Sequence, residues 1–486
     1  MIKAFVKFDT ENTELKELFE LAEKTAKENI VDFGGRKVLV EGGGYPNIWT
    51  ETQPMGGEMY AKRDPEIALN NQLFFFDYQR EDGRIPGMIV YKDGEFDPWF
   101  SHYQGFYLAH HALNMYYLSE KRKDYLEYIY QGIERFDKHL WATRDSDNDG
   151  CLETWCVWDT GEDGCSRFED ATDAWKSEKA PEGFKRVPFE SMDFMGFSYE
   201  CRQTLSEISH LLNNGKEAFW ATQAKKVKDK MRDYLWWKEK GAFYDRDNSN
   251  KFMDVLYQGN IKVMYNGCFY PDMADEFIER HLLNPDEFWT PIPLVSIARN
   301  NPYYNGADFN NWSGQPQSLT YQRSIRALEN YGRYNEITRL AQIFLKTVAK
   351  NKVFTQQFDP YTGVSSLGEG KGDYGPCILA VLEFISRLYG VHLYRDEIYF
   401  GCFDSGFEST YTQFFKDSEY TVNIGKKSAK GYIDGKEIFE VSLGTRVFTD
   451  TKGNVKRIAN TSQERKIVRF NNQEKELDKN QVWTIM

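Results

Sequence analysis

The sequence predicts a mainly α fold, an (α/α)6 barrel with a small C-terminal β domain. Three observations carry this expectation. Apolar residues recur at three- and four-residue spacing as far as about residue 390, the helical segments number near twelve, and after about residue 395 short runs alternate apolar and polar residues between Gly and Asp turns. Helices are expected over 12–30, 64–80, 103–119, 122–141, 190–213, 215–237, 271–282, 313–332, 335–350 and 374–389. Weaker candidates around 50–60 and 290–299 complete twelve, which in alternating order would close a barrel with buried inner helices and long loops gathered at one end. "RDPEIALNNQLFFF" illustrates a start signal, with Asp64 before Pro65 at the first helical position. The expected boundaries are 1–392 for the barrel and 393–486 for a sandwich-like β domain with a structural role. No repeat of fixed period argues for a solenoid.

Composition narrows the function. The 486 residues hold 61 Lys and Arg against 74 Asp and Glu, a net charge of −13, which repels phosphate backbones and anionic lipid. Neither nucleic acid nor a membrane is an expected partner, and nothing in the sequence sets an oligomeric state. No apolar run reaches the roughly 18 residues of a membrane span, and no leader is evident at the N-terminus, so a cytoplasmic protein is expected. Seven scattered cysteines (Cys151, Cys156, Cys165, Cys201, Cys268, Cys377 and Cys402) lack CxxC or zinc spacing and read as reduced, buried thiols. There is no HExxH, no Walker loop and no ordered GxGxxG, and no cofactor is expected. "GGRKVLVEGGG" is Gly-rich without that order, and His110 and His111 read as packing residues. Aromatic residues make up 16%, with 12 Trp and 30 Tyr, more than a core of this size requires. Their broad apolar faces suit stacking on a pyranose ring, and the expected partner is a small carbohydrate.

The densest chemistry lies in "RDSDNDGCLETWCVWDTGEDGCSRF". Asp145, Asp147 and Asp149 before Gly150 open like a calcium loop, but its twelfth position is Cys156 rather than Glu. Solvated acids on a turn are the expectation, with a structural calcium ion on the three aspartates as the alternative. Further on, Asp163 lies between Trp158 and Phe168 on a turn bounded by Gly161 and Gly164. Glycoside cleavage needs a carboxylic acid to protonate the leaving oxygen and a second carboxylate across the sugar ring. Apolar neighbours help such an acid keep its proton. Arg167 could orient a hydroxyl or a neighbouring acid.

"WDTGEDGCSRF" resembles the "WESGMDNSPRW" segment of glycoside hydrolase family 63, itself related to the family 37 trehalases. Trp158, Gly161, Asp163 and Arg167 match, with Ser166 or its neighbour. "YPNIWTETQP…DGRIPG" is similar to the family's first helix pair, "NNWSGQP" to its "YWRGPVW", placing Trp312, Gly314 and Gln315, and "FDPYTG" to its "YNPxTG". The resemblance covers most of 35–390. It implies an (α/α)6-barrel glycosidase, inverting, often acting on an α-glucoside or α-mannoside, with Asp163 as general acid. The family's basic glutamate falls on Gln356, and an amide can only position water. Three readings stay open: the base has moved to Glu369 or Asp373 of "SSLGEGKGDYG"; phosphate is the nucleophile of an inverting phosphorylase, held by Lys371, Arg167 or Arg323; or the barrel binds sugar without turnover. A lyase would need a Tyr or His base. Trp49, Glu51, Trp99, His102, Gln104, Trp158, Arg167, Trp312 and Gln315 are the expected sugar contacts, and Asp359 reads as a turn cap before Pro360.

Overall fold

The computed structural model describes residues 2–309, 311–366 and 372–485. Among these the chain is mainly α, with twelve α-helices and a C-terminal β region. The helices are Thr13–Glu28, Gln53–Tyr60, Pro65–Asp77, Ala109–Leu118, Lys123–Thr143, Met192–Leu212, Glu217–Lys230, Gly259–Tyr265, Pro271–Phe277, Ser318–Glu329, Tyr334–Asn351 and Gly375–Tyr389. Their starts are chemically legible: Asn12 accepts from Leu15 N at 3.1 Å, and Asp64 accepts from Glu66 N and Ile67 N at 3.0 and 3.2 Å.

Every second helix, beginning with Gln53–Tyr60, is buried on nearly all sides, whereas the alternating six keep an exposed edge. The buried six pack in a closed ring. Gln53–Tyr60 meets Ala109–Leu118, which meets Met192–Leu212, then Gly259–Tyr265, Ser318–Glu329 and Gly375–Tyr389, and the last returns to the first.

Two expectations are corrected here. The segment 290–299 is not helical, because Pro291 and Pro293 remove amide donors and exclude helical geometry from the residues before them. Its place is taken by Gly259–Tyr265, whose seven residues are all buried and therefore show no amphipathic period.

The β region forms two antiparallel sheets. The five-stranded one orders Val391–Tyr394, Glu397–Cys402, Thr445–Asp450, Val455–Asn460 and Val482–Thr484. The seven-stranded one runs through Ser409–Phe415, Ser418–Ile424, Ser428–Ile433, Lys436–Ser442, Lys466–Phe470 and Gln473–Leu477, and its first strand is N-terminal: Ala4–Thr10 pairs with Ser409–Phe415 from Ala4↔Phe415 to Thr10↔Ser409. The β architecture is therefore not confined to residues after 392. It is tied to the helices at Glu336, whose carboxylate accepts from Asn480 Nδ2 at 2.6 Å and pairs with Lys479 at 3.1 Å.

Candidate active site

Two loops meet between the buried helices. One follows the strand Arg36–Leu39 and carries Glu41, Tyr45, Trp49 and Glu51; the other, 155–168, carries Trp158 and Asp163. The first is anchored through its glycines. Gly42 has φ +73°, and a Cβ there would collide with the Asp373 carbonyl and the Asn29 amide. Gly43 N donates to Asp373 Oδ1 at 2.8 Å, and Gly375 N donates to Glu41 O at 2.6 Å. The second loop is seated on 311–313: Trp312 N donates to Asp163 O at 2.9 Å, and Ser313 Oγ accepts from Ser166 N at 2.8 Å and donates to Gly164 O at 3.1 Å.

Three carboxyl groups in this junction feel one another. Burial holds the Glu41 carboxyl well above the usual carboxylate range, the charges of Glu51 and Asp163 push the same way, and a hydrogen bond from Tyr374 and the charge of Arg323 oppose them. Glu51 is raised to about 7 by burial, against the pull of Arg323 and Lys262, with Asp163 adding to the rise. Tyr45 goes up to about 12 through burial and the charges of Glu41, Asp163 and Glu51. Glu51 is held by Arg323 Nη2 at 3.0 Å and by Gln104 Nε2 at 3.3 Å. Gln104 itself sits at φ +57°, and its amide donates to Trp158 O at 2.9 Å, so it joins the two loops.

Beneath the Asp163 loop lies a buried ionic cluster. Arg167 has no exposed surface; it pairs with Asp245 at 2.5 Å, Glu162 at 2.6 Å and Asp193 at 3.1 Å, and also bonds the Tyr257 hydroxyl. Lys262 pairs with Glu162 at 2.9 Å and donates to Thr160 O at 3.0 Å. Arg167 therefore fixes the loop from below, and the structure does not bring it to a sugar-accessible surface.

The other expected residues fall in two groups. Trp49 packs edge-on to Tyr45 with ring centroids 6.4 Å apart, and His102 packs edge-on to Trp158 at 5.3 Å, with its pKa lowered to about 4 by burial. Trp99 is 38% exposed at the rim. Among the described residues, Trp49 Nε1 and His102 Nε2 are buried without a hydrogen-bond partner. Deeper, Trp312, Gln315 and Gln356 are buried. Gln315 is committed to its neighbours, accepting from Gln357 at 2.7 Å and donating to Gly306 O at 3.3 Å, and Gln356 O accepts from Ser318 N at 2.8 Å. Asp373 is engaged in the Gly43 turn, whereas Glu369 and Lys371 lie outside the described residues. Asp359 caps its turn, accepting from Thr362 N at 2.7 Å. His110 and His111 are buried, the latter between Glu58 and Tyr265.

Sequence reasoning missed Glu41, Tyr45, Lys262 and Tyr374 as site residues. The signal for Glu41 was an acid directly before three glycines.

Away from this junction, carboxylate oxygens of Asp145, Asp147 and Asp149 lie within 4.8 Å of one another, as do those of Asp147, Glu153 and Glu190. Glu190 is 7% exposed; the Cys151 thiol bonds its carboxyl group, and among the described residues its Oε2 makes no hydrogen bond.

The buried carboxyls of Glu41 and Glu51, raised by burial and by neighbouring acids, beside partly exposed tryptophans on a ring of buried helices, suit the acid–base cleavage of a carbohydrate. Residues 57–375 match the mannosylglycerate hydrolase MGH1-like glycoside hydrolase domain; the chain belongs to this family and is a glycoside hydrolase. Solved structures share the fold. The mannosylglycerate hydrolase of Thermus thermophilus, solved in complex with glucose, is 17% identical, with a TM-score of 0.61 over 76% of this chain and 100% of that one. The same enzyme is also known with Tris and D-glycerate. Neutral trehalase from Saccharomyces cerevisiae is 12% identical, with a TM-score of 0.55 over 72% of this chain and 74% of that one. A rhamnosidase of a Bacillus species is 11% identical, with a TM-score of 0.60 over 87% of this chain and 40% of that one. No curated protein sequence matches the chain.

Proposed function

We propose that the twelve helices form an (α/α)6 barrel and that the protein cleaves a short oligosaccharide or glycoside by single displacement with inversion. The mutual influence of Glu41, Glu51 and Asp163 carries this reading, because it gathers an acid, a base and a sugar-binding carboxylate in one junction. Asp163 protonates the leaving oxygen. Glu41 takes the proton from the attacking water, in place of the glutamate that Gln356 replaces. Burial is the main force that keeps the Glu41 proton on; the charge of Arg323 and the Tyr374 hydrogen bond favour its ionisation, and a proton on Asp163 removes one of the charges that oppose it. Glu51, steadied by Arg323 and Gln104, accepts from sugar hydroxyls. Trp49 and Trp158 supply stacking faces and Gln356 orients water.

The names of the relatives make mannosylglycerate the first substrate to try, with trehalose beside it. The acidic surface and seven unpaired, buried cysteines suit a cytoplasmic enzyme, and among the described residues no helix is long and apolar enough to cross a membrane. The carboxylates of Asp147, Glu153 and Glu190 lie close enough to share a hard divalent cation such as calcium, and among the described residues Glu190 Oε2 is a buried acceptor without a hydrogen bond.

Glycosyl fluorides test the roles, because fluoride departs without protonation. Asp163→Asn is expected to lose natural glycosides but keep the fluoride, and Glu41→Gln to lose both. The reverse pattern exchanges the two roles. Sugar 1-phosphate formed only with added phosphate would make the enzyme a phosphorylase.

A further inference from the structure

The turn that presents Glu41 is held by three consecutive residues from the far end of the barrel sequence. Gly43 N donates to Asp373 Oδ1 at 2.8 Å, and the Asp373 carbonyl accepts from Asn29 Nδ2 at 2.7 Å against Gly42. Gly375 N donates to the Glu41 carbonyl at 2.6 Å. Between these two anchors lies Tyr374, which is buried. Its ring rests on Gly43, where an added Cβ would meet Tyr374 Cδ2 at 3.0 Å, and its side chain bonds the Glu41 carboxyl.

The same residue is tied to the segment that carries Gln356. Tyr374 N donates to Phe354 O at 3.1 Å and Phe354 N to Gly372 O at 3.1 Å, so 372–374 runs alongside the chain two residues before Gln356. The helix Gly375–Tyr389 begins directly after Tyr374, and a helix N-terminus favours negative charge beside it. The titratable and charged groups that face Glu41 are Glu51, Asp163, Tyr45, Tyr374 and Arg323. The two acids oppose another negative charge, and Arg323 is itself paired with Glu51 at 3.0 Å. A hydroxyl donating to Glu41 stabilises the carboxylate without carrying charge of its own. Burial and the charges of Glu41 and Glu51 push the Tyr374 hydroxyl well above its ordinary range, so it stays a neutral donor.

We propose that Tyr374 is the positioning residue of the catalytic base: its hydroxyl donates to the Glu41 carboxylate and fixes one oxygen, so that the other takes the proton of the attacking water. In that step a water O–H bond breaks toward Glu41 as the water oxygen bonds the anomeric carbon, and the leaving oxygen departs with its electron pair and the Asp163 proton. The proposal rests on the reading of Glu41 as base, while the hold of Tyr374 on Glu41 can be measured without turnover.

The experiment follows kcat/KM for mannosylglycerate against pH in wild type, Tyr374→Phe and Tyr374→3-fluorotyrosine. Losing the donor makes Glu41 harder to ionise, so Tyr374→Phe should move the acidic limb up by at least about one pH unit, with a loss of at least about tenfold below it and most of the activity recovered above it. The fluorinated ring has a more acidic hydroxyl and donates more strongly, so its limb should move down. In parallel, the Glu41 carboxyl is titrated by carbon-13 NMR in protein labelled at glutamate Cδ, its resonance assigned by its absence in Glu41→Gln. An upward shift of that titration in Tyr374→Phe supports the hold on Glu41 even if mannosylglycerate is not cleaved. A Glu41 titration unmoved in Tyr374→Phe overturns the proposal and leaves Tyr374 a packing residue, whatever happens to the rate. A titration that moves while the acidic limb stays in place puts the base elsewhere, and it removes Tyr374 from catalysis together with Glu41.

Discussion

Gly161 and Glu51 compete for the same space: a Cβ on Gly161 would stand 2.5 Å from the carboxyl carbon of Glu51, and Gly161 has φ +71°. The absent side chain lets a buried carboxylate lie directly against the backbone of the loop that carries Asp163. Gly161→Ala must move that loop or turn Glu51 away from Arg323 and Gln104. We expect a loss of about 1–3 kcal/mol in urea unfolding and a fall of at least about tenfold in kcat/KM. Lost stability with full activity would place Glu51 outside the chemistry.

Glu51 also predicts a pH dependence of stability. Its folded-state pKa is raised from 4.5 to about 7, with burial the main cause. Between those values the folded chain keeps a proton that the unfolded chain has lost, so this group's contribution falls as pH rises, by at most about 1.4 kcal/mol per unit. Glu51→Gln should flatten that decline in unfolding curves measured from pH 4.5 to 7. An unchanged profile would mean that Glu51 is ionised throughout.

Much of the fold was legible in the sequence because most outer helices are amphipathic and the segments around most inner ones are long. Gly259–Tyr265 was not legible, since a seven-residue helix buried on all sides has no polar face to mark its period. The N-terminal strand Ala4–Thr10 was hidden because its partner, Ser409–Phe415, lies some four hundred residues away. In the site, Trp158 and Asp163 stood out through their compact motif. Glu41 did not, because what distinguishes it is the approach of Glu51, Asp163 and Tyr374 from other parts of the chain. Arg167 was half legible: its motif allowed it to orient a neighbouring acid, as it does Glu162, but only the fold shows it facing Asp193 and Asp245 as well, away from any sugar.

Arg167 gives a third prediction. Arg167→Met would leave Glu162, Asp193 and Asp245 buried together with Lys262 as their remaining cation. Breaking a buried network from one side costs about 3–5 kcal/mol. We expect that loss in denaturant unfolding, together with faster amide exchange in 158–168. A variant of normal stability with a raised KM would instead make Arg167 a substrate ligand.

The cluster around Glu190 yields the fourth prediction, in which pH and metal act together. The Glu190 carboxyl is raised to about 9, first by burial and then by the charges of Asp149, Asp147 and Glu153. With chelator present, the folded chain holds this proton far above the ordinary carboxylate range, so stability should fall as pH rises from about 5 to 9. A divalent cation reverses the balance, because it binds the ionised carboxylates and competes with the proton. Calcium at a hundred times its Kd should add about 2.7 kcal/mol at pH 8 and much less at pH 5. Magnesium, which sheds its water reluctantly and demands a tighter octahedron, should add less. Glu190→Gln should raise stability in chelator at pH 8 and blunt the calcium response, since the amide keeps one neutral oxygen but loses the charge. If calcium leaves Tm unmoved at pH 8 in the wild type, Glu190 holds its proton instead of a metal, and the aspartates at 145, 147 and 149 are acids of a surface turn.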